Sequence, residues 1–366
     1  MGLPLLRLPH LVITNLVDIT EIEDLTCLLL CSNRARKILI VCRRQNLFED
    51  KFIFATVLSN CTALNVSCCQ IEVIQISNLE KYMKIGYSND APLFSERTVA
   101  DVKDEIGQLE SVEIGGQRVP FFRDSETLLT FWDDETIGFR KCMDFARETF
   151  GMPVKLLVFS AKGMWAFDWI NGWEEKIQQM TVEINGIQDH ELKYIMEKCE
   201  SRMLVTRGGL LCSEGWDSEY DSPHYPSESF QFDLYELKTK CFFASSARWI
   251  TVQNISTSFL EALEIGESSM TNRDLNLFLR LWLVGGFPCL RYIFIRLCEW
   301  LTDDATANGV KNELRQTTYQ HEFPRKSWDE DPYEQFDVQQ KENGNKMASI
   351  RFSPRFLRSV GMSVWE

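Results

Sequence analysis

The sequence has no Cys-x-x-Cys pair, and its four histidines, His10, His190, His224 and His321, are scattered. None stands at ligand spacing from a cysteine pair such as Cys68-Cys69 or Cys27 and Cys31, so no metal site is expected. A Gly-rich phosphate loop closing on Gly-Lys-Ser/Thr is missing, and so are a nucleophile elbow, a zinc-protease signature and the kinase set. The chain is therefore read as non-enzymatic, with no cofactor. Positive charge is short: 39 Lys and Arg against 53 Asp and Glu give a formal net charge of -14. That argues against a sequence-independent nucleic-acid binder, because phosphate contacts need a basic surface. No run is long and apolar enough to span a membrane; even Leu275 to Val284 is interrupted by Arg280 and stops at Gly285-Gly286. No signal peptide is visible, since the run Leu25 to Cys31 is short and flanked by acids. Twelve cysteines without regular spacing then read as reduced, mostly buried thiols of a cytoplasmic or nuclear protein.

What is present is a large apolar fraction, 45%, with 24 Phe and 10 Trp in 366 residues. That suits a globular protein of two or three units able to bury a substantial core. At the N-terminus, Leu5-Leu6-Arg7-Leu8-Pro9-His10-Leu11-Val12 leads into about thirty residues that read as three short helices. Pro9 suits a first helical turn, and Leu11, Val12, Leu16 and Val17 recur at helical spacing. The second segment, Glu21 to Cys31, carries Ile22, Leu25, Leu28 and Leu29, with Glu21, Glu23 and Asp24 near its positive end. Ser32 caps a third helix with Ala35, Ile38 and Leu39 inward and Arg34, Arg36 and Lys37 facing water. So small a unit cannot bury these aliphatics alone. They must meet the rest of the chain or another protein.

From about residue 50 strand and helix patterns alternate. Ile71 to Ser77 reads as a half-buried strand, and Val112 to Ile114 with Arg118 to Phe122 as a hairpin turning at Gly115-Gly116. Asp133-Asp134-Glu135 opens a helix carrying Ile137, Cys142, Phe145 and Phe150 and ending at Gly151; its acids are explained by the helix dipole rather than as paired catalytic carboxylates. A strand over Val154 to Phe159, a helix over Trp165 to Lys176 and a strand over Ile177 to Ile184 follow. Trp165, Trp169 and Trp173, at i, i+4 and i+8, read as a packed face of that helix. Asp189 caps a helix bearing Leu192, Ile195, Met196 and Cys199, and Met203 to Thr206 is the next strand. Beyond a polar loop, Cys212 to Ser229, strands are expected at Lys240 to Phe243, Glu261 to Ile265 and Leu290 to Leu297. Between the last two, Thr271 and Asp274 form a capping box for a helix apolar nearly all round, with Leu275, Phe278, Leu279 and Trp282 on one face and Leu277, Leu281 and Leu283 on another. Strand spacings of roughly 20 to 35 residues fall in the solenoid range and predict stacked strand-helix units on a curved, mostly parallel sheet.

The N-terminal stretch resembles an F-box, the helical adaptor that docks on Skp1 in cullin-RING ubiquitin ligases. The match lies in Leu8-Pro9, Leu11 to Val17, Glu21 to Cys31 and Cys31-Ser32-Asn33-Arg34-Ala35-Arg36-Lys37. One departure is the start of the second helix, where Ile19-Thr20-Glu21 stands in place of the frequent proline and acid. An ordinary helical hairpin packed on the main domain is the alternative for these residues. The rest resembles the type 2 F-box-associated domain (FBA_2) of the large nematode F-box family. That match rests on Val112 to Pro120, Thr130 to Asp134, Glu191 to Met196, Thr271 to Leu279, Trp282 to Tyr292 and Gln340 to Ala348 leading to Trp365.

The resemblance implies an α/β protein: a small three-helix F-box followed by a leucine-rich-repeat-like domain. Its divisions would be an F-box over 3–45, a first α/β part over 46–160, the F-box-associated repeat-like domain over 161–305, a polar acidic linker over 306–340 and a β segment over 341–366. It further implies a substrate-recognition adaptor of a Skp1-cullin-F-box ubiquitin ligase. Leu8, Pro9, Leu11, Val12, Leu16, Ile22, Leu25 and Leu28 would hold a Skp1-like protein, with the cullin reached through it and an unknown target on the C-terminal domain. A repeat-type protein-interaction module without a ubiquitin role stays open beside it. The acidic Trp328 to Glu334 is either a docking motif for a basic partner or a solvated linker.

Overall fold

Local caps and strand alternation turn these patterns into a mixed α/β structure. The computed structural model describes residues 35–37, 52–57, 62–67, 94–97, 110–124, 127–151, 153–208, 226–227, 229–300, 315–316, 334–340, 346–352 and 359–365. Of the expected N-terminal helices only 35–37 fall among these, and they are helical. All eight residues assigned to the Skp1 contact, the strand at Ile71 to Ser77 and most of the Cys212 to Ser229 loop lie outside the described residues. The chain divides into two units, Met1–Gln70 with Ser88–Val158 and Ile71–Tyr87 with Phe159–Glu366.

In the first unit β1 (Phe52–Val57), β2 (Thr62–Ser67), β3 (Phe94–Arg97), β4 (Glu110–Ile114), β5 (Gln117–Asp124), β6 (Thr127–Phe131) and β7 (Val154–Phe159) lie in the order β7-β1-β2-β3-β6-β5-β4. β3 and β6 pair in parallel, whereas β1–β2, β2–β3, β4–β5 and β5–β6 are antiparallel. Gly115 and Gly116, at φ +55° and +76°, supply the two left-handed positions that a tight β4–β5 hairpin requires. Helix α1 (Glu135–Phe150) starts as its sequence dictates: the Asp134 carboxylate accepts the Ile137 N–H at 3.0 Å. Gly151, at φ +69°, ends it by donating to the Arg147 carbonyl at 2.9 Å. Phe139, Cys142, Met143, Phe145 and Ala146 are buried, but Ile137 is 48% exposed and does not share their face. Gly138 lies under Trp132, where any Cβ would enter the indole ring, and the Trp132 Nε1–H donates to Thr130 Oγ1 at 3.0 Å.

The second unit repeats a strand-helix step. Strands β8 (Gln179–Glu183), β9 (Met203–Arg207), β10 (Cys241–Ala244), β11 (Ala262–Ile265) and β12 (Tyr292–Arg296) are parallel and adjacent in chain order. Antiparallel strands continue the sheet beyond β12. They are β16 (Ser359–Trp365), β15 (Met347–Phe352), β14 (Glu334–Gln339) and β13 (Arg315–Gln316), in that spatial order. The acidic stretch thus runs into a strand at Glu334, inside the span expected as linker. The connections carry α2 (Met164–Asn171) before β8, then α3 (Asp189–Lys198), a 3-10 turn at Leu234–Glu236, α4 (Val252–Thr257) and α5 (Asn272–Leu283). By the right-handed rule for parallel crossovers, α3, α4 and α5 are expected on one face of the β8–β12 sheet. One in-register row is Met180, Leu204, Phe242, Leu263 and Ile293, and Met180 meets the thiol of Cys199, at the end of α3, at 3.6 Å. The next row, Thr181, Val205, Phe243, Glu264 and Phe294, points the other way, because side chains alternate.

Three expectations are corrected. The helix expected to Lys176 stops at Asn171, whose carbonyl accepts the Lys176 ammonium at 3.0 Å. Trp173 therefore lies beyond the helix, meeting Trp169 edge-on with centroids 5.1 Å apart. Helix α3 is capped by Gln188 rather than Asp189, whose carboxylate instead accepts the Ser227 N–H at 3.0 Å and the Ser227 hydroxyl. Helix α5 is amphipathic rather than enclosed: Leu275, Phe278, Leu279, Trp282 and Leu283 are buried, while Leu277 is 47% exposed. Its end is a Schellman turn, with Gly285 N–H on the Trp282 carbonyl at 3.1 Å and Gly286 N–H on the Leu281 carbonyl at 2.9 Å. A Cβ on Gly286 would stand 2.7 Å from that same Leu281 oxygen.

Candidate interaction surface

Three helices of the second unit begin with one device. Ile187-Gln188-x-x-Glu191-Leu192, Ile250-Thr251-x-x-Asn254-Ile255 and Met270-Thr271-x-x-Asp274-Leu275 each set an apolar residue, a cap, a third-position acceptor and a second apolar residue. The cap N–H donates to that acceptor at 2.8, 3.0 and 2.9 Å respectively. Apolar residues flanking the cap are placed to staple the chain entry, and Ile250, Ile255, Met270, Leu275 and Leu192 are buried. At α5 the Glu299 carboxylate also accepts from the Asn272 N–H and side-chain amide, at 2.6 and 2.8 Å, adding negative charge to the positive helix end. The inner helix faces are thereby fixed, and contact with a partner falls to what projects from them.

The most exposed large apolar side chains there are paired. Tyr235, 58% exposed, and Phe259, 61% exposed, meet with ring centroids 5.5 Å apart. Their backbones are anchored by buried neighbours: Leu234 and Leu237 flank Tyr235, and Ser258 and Leu260 flank Phe259. The Asp233 carboxylate accepts the Tyr235 N–H at 3.0 Å, and the Ser258 hydroxyl donates to the Ile255 carbonyl at 2.9 Å. Two rigidly mounted aromatics that lose little entropy on contact are the kind of group that anchors interfaces. Around them lie exposed Gln231, Asp233, Glu236, Lys238 and Lys240. Lys238 pairs with Glu200 at 2.9 Å and Lys240 with Glu261 at 2.6 Å, so the rim is polar and locally balanced.

Two carboxyl groups of this unit are perturbed in opposite senses. Lys238 and Lys176, each 2.9 Å away, hold the Glu200 carboxyl down to about 2. Burial pushes the Glu183 carboxyl up, an effect that Arg207 partly offsets; Glu183 is 7% exposed. Burial also raises the thiols of Cys199, to about 11, and Cys241, to about 12, which keeps them protonated and unreactive. Among the described residues no group of His, Cys, Asp and Glu is arranged to hold a metal ion, and no helix is long and apolar enough to cross a membrane.

In the first unit residues 35–37 of the N-terminal segment also differ from expectation. Arg36 does not face water: its guanidinium lies over the Phe145 ring, 4.7 Å from the centroid, and only Lys37 of the three residues is exposed.

The family model described as F-box associated matches residues 229–295. The match begins before Tyr235, runs through α4, β11 and α5, and ends within β12, so it contains the aromatic pair and two of the three capping boxes. This F-box-associated segment implies a protein-partner role. Curated proteins and solved structures give no match to the chain. The resemblance at Thr271 to Leu279 falls within the matched segment, and Gln340 onward lies outside it. The aromatic pair was not foreseen, because Tyr235 and Phe259 are 24 positions apart and belong to no periodic face. Of the three cap patterns, Thr271 with Asp274 is the expected one, whereas Gln188 with Glu191 is hidden in sequence by the adjacent Asp189 and Thr251 with Asn254 opens only a short helix.

Proposed function

We propose that this chain is the substrate-recognition adaptor of a Skp1-cullin-F-box ubiquitin ligase, of the kind expanded in nematodes. Leu8, Pro9, Leu11, Val12, Leu16, Ile22, Leu25 and Leu28 would form the Skp1 contact, and the cullin would be engaged through Skp1. The second unit would hold the target protein, in the cytoplasm or nucleus. Catalysis would come from the associated conjugating enzyme, and the adaptor would act by raising the effective concentration of target lysines near it. The observation that carries this reading is the F-box-associated match at 229–295, following N-terminal residues with an F-box pattern. The exposed Tyr235 and Phe259 inside that match give the target side a ready anchor.

The test is a pull-down of purified Skp1 with the full chain, beside a Pro9→Ala/Leu11→Asp/Val12→Asp variant shown to be folded by circular dichroism and melting. Binding that the variant loses supports the adaptor. A folded wild-type chain that leaves Skp1 in solution removes the ligase assignment. The second reading, an interaction module whose N-terminal helices merely pack on its own sheet, is favoured by one observation. Ala35 is buried and Arg36 rests on Phe145, as a packed hairpin would require.

A further inference from the structure

We infer that Arg36 is a positioning residue that fixes the helical residues 35–37 of the N-terminal segment onto the first unit. Its consequence, that whatever the segment binds is presented in a set direction, rests on the adaptor reading; the joint itself does not.

Residues 35–37 turn one side inward. Ala35 is 4% exposed, Arg36 is half-buried and Lys37 is exposed. Beneath Arg36 lies a floor with no slack: Phe145 is 4% exposed, and Phe139, Cys142, Met143 and Ala146 on the same helix are at most 1% exposed. The guanidinium sits over the Phe145 ring, and its Nη2 reaches toward the Glu113 carbonyl of β4 at 3.5 Å, a long contact. One side chain therefore addresses both the helix and the hairpin. Those two elements are themselves pinned together, since the Lys141 ammonium on α1 donates to the Gly115 carbonyl at 3.0 Å. A planar guanidinium performs this double task and an ammonium does so less well, because it can lie flat on a ring while its edge donates sideways. The Nε of Arg36 is buried without an acceptor. The position thus accepts a desolvation cost that a plain aliphatic would avoid, which marks the cation–ring contact as the specific one.

Hydrogen exchange on the full chain tests the joint. Arg36→Met keeps the stem and removes the cation. It should speed exchange in the peptide covering residues 35–37 by about tenfold, the weight of one partly desolvated cation–π contact. Amides of α1 from Phe139 to Ala146 should be unchanged. Arg36→Lys should restore only part of the protection, since an ammonium keeps the ring contact without the sideways reach, and Phe145→Leu should reproduce the loss. Unchanged exchange in Arg36→Met would overturn the proposal, and so would faster exchange throughout α1, which signals general loosening. A second readout uses the Skp1 complex: affinity should stay within about twofold, while small-angle scattering shows a broader distribution of dimensions. An affinity loss with unchanged exchange would make Arg36 a partner contact and sink the joint. Absence of any Skp1 binding would instead defeat the adaptor reading and leave the exchange result standing.

Discussion

The first unit and the second unit reach the same end, a helix-backed sheet, by different encoding. In the first, the long helix α1 packs with strands whose order departs from the chain order, β7-β1-β2-β3-β6-β5-β4. In the second, β8 to β12 are neighbours in chain order, and each of α3, α4 and α5 starts at its own cap. Sequential pairing keeps contacts local, which favours quick formation and short-range coding. Strand orders such as β7-β1 and β3-β6 depend on residues far apart in sequence. One part of the chain is thus specified mostly by tertiary packing and the other largely module by module.

The largest effect expected is from emptying a core position in each unit. Trp282→Ala in α5 and Phe139→Ala in α1 both remove side chains at most 1% exposed, and each should cost about 3–5 kcal/mol in thermal and denaturant unfolding. If the encoding differs as argued, exchange after Trp282→Ala should rise first in α5, β11 and β12, whereas Phe139→Ala should loosen the first unit as a whole. Equal, unit-wide loosening in both would remove the contrast.

Next come the glycines. Gly286→Ala should cost about 1–3 kcal/mol, because its Cβ meets a backbone oxygen that closes the helix end. Gly138→Ala should cost a similar amount, but its obstacle is the Trp132 side chain. Adding Trp132→Leu to Gly138→Ala should make the second change cheaper than Gly138→Ala alone in a double-mutant cycle, and no side-chain change should relieve Gly286→Ala.

Caps follow at about 1 kcal/mol each: Thr251→Ala and Thr271→Ala in the second unit, and Asp134→Ala in the first. The two threonine losses should add in the double variant, as befits self-contained modules, when followed by denaturant titration. Strong non-additivity would join the modules into one cooperative piece.

The smallest effects are in pH dependence. Glu200, held near 2 against an ordinary 4.5, contributes stability that is present above pH 4.5 and lost as pH falls toward 2. Glu200→Gln should flatten that acid loss, slightly, since the carboxylate is exposed. Glu183 has the opposite sign: its raised folded value means the native state keeps the proton to higher pH than the unfolded chain. Stability therefore falls as pH rises through the interval above 4.5, and Glu183→Gln should remove that fall. Melting curves across pH 2 to 7 would separate the two by sign.

Features fixed by a few consecutive residues were legible. Asp134 with Gly151, the Gly115-Gly116 turn and Thr271 with Asp274 all lie where their local chemistry puts them. Features set by distant partners were not. Trp173 looked helical by spacing, yet Gly172 and the Lys176 bond to Asn171 end α2 before it. Leu277 looked buried by hydropathy, yet it sits on the side of α5 away from the sheet. Arg36 looked solvated as a cation, and only the arrival of Phe145 from over a hundred residues away changes that. The aromatic pair at Tyr235 and Phe259 depends on β10 and β11 lying side by side, which no local pattern states.

The three repeated helix starts have a consequence for how such a chain can change over time. Because the steps that carry α3, α4 and α5 each have their own starting signal, duplication or excision of one of them would leave the ends of its neighbours intact. The sheet can then lengthen or shorten in units, as beads are added to a string, while the Schellman turn at Gly285-Gly286 and the antiparallel strands beyond β12 remain as its finishing piece.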